Sequence, residues 1–157
     1  MTDAPARRFG AFGLVVIIAG VVLAAWVSLG RIPFGIAGEL TPWFVVTLGL
    51  LIAVLHFFTG RAIVRTARLG RATRPVTILY VCFSWACGLL LGLMIPDVTA
   101  DGWQTIISGP GEPMLSIAVG LANPLGIVCI ATAVVALVLA GQDARGSIRR
   151  HDDEDFD

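Results

Sequence analysis

Residues 60–75, GRAIVRTARLGRATRP, separate two apolar runs and hold five of the chain's eleven basic residues, all of which are arginine. Each flanking run is long enough to cross a hydrocarbon core about 30 Å thick. A basic stretch in that position sets how the whole chain threads the bilayer, because short basic loops stay on the cytoplasmic side. Arg61, Arg65 and Arg68 are spaced by four and three, which puts them on one helical face. Ile63, Val64 and Ala67 lie on another face, and Gly70 suits a helix C-terminus. The second span is therefore expected to continue as a helix about two to three turns into the cytoplasm and to end near Leu69. Arg71 and Arg74 then fall in a short connection, and Pro75 opens the third span.

Composition agrees with a membrane setting. With 57% hydrophobic and 14% charged residues in 157 positions, a soluble domain of this size could not bury its apolar surface. Residues 1–8 form a polar N-terminal tail ending in Arg7-Arg8, and 9–29 form the first span. That run is too long for a leader and is followed by no small-x-small cleavage site, so it reads as a retained span. Residues 30–41 are a turn-rich outer loop with Arg31, Pro33 and Glu39. Thr41-Pro42 reads as a helix start, threonine as N-cap and proline at the first helical position, opening the second span at 42–59. Trp43 and Phe44 sit where an aromatic belt lies. The third span is 76–95, and the second outer loop, 96–113, carries Asp97, Asp101 and Glu112, with Trp103 to Ser108 lying along the interface. The fourth span is 114–140. Residues 141–157 hold Arg145, Arg149 and Arg150 and then the acidic run 152–155, a composition expected to give a disordered cytoplasmic tail.

The arginine count gives the orientation. Ten lie in the N-terminal tail, the 60–75 segment and the C-terminal tail, against Arg31 alone in the outer loops. The expected architecture is an all-α, integral membrane four-helix bundle with both termini cytoplasmic and a helical cytoplasmic extension of the second span. The expected location is the plasma membrane of a bacterium.

Four groups of residues are candidate sites. Asn123 lies about 14 Å into the fourth span, close to the midplane. Pro124 has no N–H to give the carbonyl of Gly120. A freed carbonyl beside a carboxamide suits a substrate path through a broken helix; a kink whose asparagine bonds a neighbouring helix is the competing reading. His56 is the only acidic or basic side chain well inside a span, which makes it a second candidate for such a path. Ser84, Gly88 and Gly92 recur every four residues and form a helix-packing stripe. Trp85 stands beside it, suited to filling the groove. The Arg61, Arg65 and Arg68 face suits anionic lipid headgroups or a protein partner.

Other chemistry has no support. There is no nucleophile–base–acid set, metal-ligand spacing or glycine-rich phosphate loop, so neither enzyme activity, a metal nor a cofactor is expected. Cys82, Cys87 and Cys129 fall in apolar runs without a C-x-x-C and read as reduced, buried thiols. The basic segment lacks interleaved aromatics, which argues against nucleic acid. The expected role is a non-enzymatic structural or accessory subunit, partnered by the bilayer and by itself or another membrane protein. The alternative is a small oligomeric transporter or channel with Asn123 and the Gly120 carbonyl lining its path.

Overall fold

Four long helices dominate the computed structural model, which describes residues 4–146 and the side chains from Gly10 onward. They are α1 (Ala4–Leu29), α2 (Thr41–Arg68), α3 (Pro75–Met94) and α4 (Met114–Arg145). All four are long and apolar enough to cross a membrane. Their outer surfaces carry Leu14, Ile18, Val22, Leu79, Phe83, Ile127 and Val138, each more than half exposed from the bundle, apart from the inward faces described below. A water-soluble protein does not present such a continuous apolar coat. The side chains of Arg7 and Arg8 and the whole of 147–157, with Arg149, Arg150 and the acidic run, lie outside the described residues.

The helices form a ring in the order α1, α2, α4, α3. Two antiparallel hairpins, α1–α2 and α3–α4, thus lie side by side. The tightest crossing is between α1 and α2, where Gly13 and Gly60 face one another: a Cβ on either would strike the other's carbonyl oxygen. Small residues at a crossing let two helix backbones approach and gain dispersion contacts that lipid does not supply. The core has two apolar clusters. One contains Leu23, Val27, Ile52, Leu91 and Cys129; the other contains Val16, Ile63, Val81, Ala136 and Ala140.

Several boundaries differ from those expected from the sequence. Helix α1 begins at Ala4 rather than residue 9. Helix α2 begins at Thr41, with Leu40 preceding it and no side-chain cap. Thr41 is already the first residue of the helix, and its hydroxyl donates to Asp97 Oδ2 at 2.6 Å, a short charge-assisted bond. A π turn over Val45–Gly49 interrupts α2, and Ser28 Oγ donates to the Phe44 carbonyl at its start. The helix then runs unbroken to Arg68, with Leu69 at the cap and Gly70 at φ +70°. Helix α4 continues to Arg145 and ends at Gly146, φ +68°, so residues 141–145 are helix rather than tail. The second outer loop holds a short antiparallel hairpin, β1 (Asp97–Thr99) with β2 (Gly102–Gln104), Val98 opposite Trp103. Glu39 N donates to the Val98 carbonyl at 3.2 Å, joining the first loop to its edge.

Candidate functional site

Two ion pairs hold the ends of the bundle, the first buried on both sides and the second with Asp143 buried and Arg74 half-buried. At the loop end, Arg31 Nη1 lies 3.3 Å from Asp97 Oδ2, with the side chains 2% and 1% exposed. Asp97 also accepts from Gly38 N at 3.0 Å, Leu40 N at 2.9 Å and Val98 N at 2.8 Å, besides Thr41. Arg31 donates further to the Val27 carbonyl at 3.2 Å and stacks over the Phe44 ring, 4.6 Å from its centroid. Burial on its own would raise the Asp97 pKa. The hydrogen bonds from Thr41, Leu40, Gly38 and Val98 outweigh it and hold the carboxyl below its ordinary value.

At the other end, Arg74 Nε donates to Asp143 Oδ1, and Thr77 Oγ1 donates to Asp143 Oδ2 at 2.9 Å. Arg74 Nη2 reaches the Leu139 carbonyl at 3.1 Å, and Arg71 Nη1 reaches the Ala144 carbonyl at 3.3 Å. The last turn of α4 leaves carbonyls without helical donors and carries the negative end of the helix dipole. Arg71 meets the first need at the Ala144 carbonyl, and Arg71 and Arg74 together bring positive charge to the negative end of the dipole. This explains why α4 outlasts the apolar run. Arg61, Arg65 and Arg68 are all exposed on one face of α2, with Arg61 5.6 Å from the Phe57 ring centroid.

The small-residue stripe of α3 is filled from within the chain. Ser84 Oγ donates to the Cys129 carbonyl of α4 at 3.0 Å. A Cβ on Gly88 would meet Leu23, and one on Gly92 would meet the Trp26 indole, both from α1. Trp26 Nε1 donates to the Leu89 carbonyl at 3.1 Å. Of the cysteines, Cys87 and Cys129 are buried and Cys82 is exposed; none is in a disulfide.

His56 and Asn123 stand apart. His56 is 2% exposed and packs against Gly20 of α1. Asn123, Pro124 and Gly120 face outward from α4, and nothing lies within 4 Å of the position a Gly120 Cβ would take. Among the described residues no protein group bonds the Asn123 carboxamide. Ser116, on the same face, is bonded to Glu112 Oε2 at 2.8 Å. The outward face of α4 therefore presents a free carboxamide, and a carbonyl that proline leaves without its helical donor, within the first third of an apolar helix. His56 and Asn123 do not line one path within a single bundle. No cluster of metal-ligating side chains occurs among the described residues.

Sequence reasoning missed both ion pairs. From sequence, Arg31 and Asp97 are placed only in two outer loops, and Asp143 only in the tail that begins at residue 141. The available signal was position: each sits within a few residues of a span end, where a charge is expensive unless paired.

The chain matches no family model, no curated protein and no solved structure. Its class rests on its four apolar helices, which fit a multi-pass membrane protein.

Proposed function

We propose that this is a non-enzymatic structural or accessory membrane protein that works by lateral association, through the outward face of α4, with a second copy or another membrane protein. The observation that carries this reading is Asn123: its carboxamide is outside the bundle, about 14 Å from the start of α4. In hydrocarbon, an unpaired amide donor and acceptor favour a partner helix that supplies both. Gly120, one turn away, leaves room for that helix to approach. The small-residue stripe of α3 is already occupied by α1 and α4, so α4 supplies the free surface.

The orientation proposed with it places both termini, the α2 extension beyond Thr59 and ten of the eleven arginines in the cytoplasm of a bacterium. Arg61, Arg65 and Arg68 then face anionic headgroups, each attracted by about 1 kcal/mol.

Native mass measurement on gently solubilised membranes tests the association. A species larger than the 16.6 kDa chain is expected, and Asn123→Leu should shift it toward the monomer. A strictly monomeric wild type with no co-purifying protein overturns the proposal.

A further inference from the structure

The two apolar clusters of the core are separated by a polar layer. Between their members, α1 carries Gly20, α2 carries His56 and Thr59, α3 carries Ser84 and Trp85, and α4 carries Thr132. Packing registers these positions at one level. Gly20 rests on His56, while Leu23 and Trp26 of α1 rest on Gly88 and Gly92 of α3. One turn below Leu23 is Gly20, and one turn below Gly88 is Trp85, with α1 and α3 running parallel. Ser84 donates to the Cys129 carbonyl at 3.0 Å, and Thr132 donates to the Val128 carbonyl at 2.7 Å, with the Cys129 carbonyl at 3.1 Å as its longer alternative.

Within this layer the hydroxyl protons have acceptors. Thr59 donates to the Leu55 carbonyl at 2.8 Å, and Ser84 and Thr132 donate as just described. Two buried nitrogens have no protein partner: His56 Nε2 and Trp85 Nε1. Their chemistry is complementary. His56 Nδ1 lies 2.9 Å from the Ile52 carbonyl, which can only accept, so Nδ1 carries the proton of the neutral ring and Nε2 is a bare acceptor. The indole nitrogen is a donor only. Buried groups of this kind are normally satisfied by protein or by an ordered small molecule.

We propose that the layer is a binding site for one small uncharged molecule that both accepts and donates a hydrogen bond, water being the smallest of that class. Trp85 Nε1–H donates to it, and His56 Nε2 accepts from it. The layer offers no acid or second base to balance an ion, and packed apolar clusters above and below limit the occupant to a few atoms.

The test is nuclear magnetic resonance on the full chain in lipid nanodiscs, with indole and imidazole nitrogens labelled and bulk water as the probe. A through-space cross-peak between the Trp85 indole proton and water is expected, together with a His56 Nε2 resonance shifted toward the hydrogen-bonded range. His56→Leu should abolish the Trp85 cross-peak while leaving the other three indoles unchanged. Trp85→Phe should weaken the hydrogen-bond shift at Nε2. A cross-peak to a non-water resonance that survives purification supports the same site with a small solute as occupant. A wild-type indole proton with no solvent or solute contact overturns the proposal, as does a direct indole–imidazole hydrogen bond. The wild-type spectrum decides even if a variant fails to fold.

Discussion

Arg31 and Asp97, 66 positions apart in the chain, form an ion pair sealed almost completely from solvent. It joins the end of α1 to the segment after α3, and through Thr41 it also grips the start of α2. Removing one partner of such a pair leaves a buried charge without compensation and typically costs about 3–5 kcal/mol. Asp97→Asn should therefore lower unfolding stability in detergent by that order. Replacing both residues by apolar ones of similar size, Arg31→Met with Asp97→Leu, should be less damaging than Arg31→Met alone. A denaturant titration of the three variants checks this.

The same carboxylate predicts acid sensitivity. Asp97 is held below its ordinary value of 3.8, so the folded state binds its proton less readily than the unfolded chain does. Its stabilising contribution is therefore complete above that ordinary value and is lost as pH falls through the lower, folded value. The unfolding midpoint of the wild type should drop in that acid range. Asp97→Asn should remove this group's share of the drop.

Two glycines should respond in opposite ways. Gly60→Leu forces a side chain into the Gly13 carbonyl and Ile17, and overpacking of this kind costs about 1–3 kcal/mol or more. Gly120→Leu meets open space and should leave the monomer's thermal stability unchanged while weakening association. Thermal melts and native mass spectra of both variants separate bundle packing from contact between bundles.

The bonds at Asp143 predict the behaviour of the last turn of α4. Arg74→Ala should remove the donor to Asp143 and to the Leu139 carbonyl, and Asp143→Asn should weaken the bonds from Arg74 and Thr77. Amide hydrogen exchange over residues 139–145 should quicken, with the middle of α4 unaffected.

The proposed orientation has a direct test. A periplasm-active reporter fused at Ser108 should be active, and one fused at Thr73 should be silent. The reverse pattern would overturn the threading of all four spans.

Hydropathy and turn chemistry made much of the frame legible from sequence. Pro75, Gly70 and the length of the apolar runs mark helix limits because backbone needs at those points are local. The 28-residue α2 follows from arginine spacing for the same reason. What sequence could not supply was partnership between distant positions. Thr41 has the residue type of an N-cap, but the helix already includes it, Leu40 stands at the cap, and its hydroxyl donates to a carboxylate 56 positions away. Asp143 has the composition of a tail, but Arg74 and Thr77 draw it into the bundle. His56 was legible as an intramembrane base; that its leftover acceptor shares a level with the Trp85 donor depends on helix register, which no local pattern encodes.

The side-by-side hairpins make the chain divisible. The α1–α2 half and the α3–α4 half are joined covalently only by residues 69–74, and Arg71 and Arg74 of that link are anchored to α4. A break just after Gly70 would leave each half with its own antiparallel pair and the Asp143 bonds intact. The two fragments would still share the Arg31–Asp97 pair and the Leu23–Gly88 and Trp26–Gly92 contacts. Expressed from separate messages, they should find one another in the membrane and co-purify, with Asp97→Asn cutting the yield of the reassembled pair.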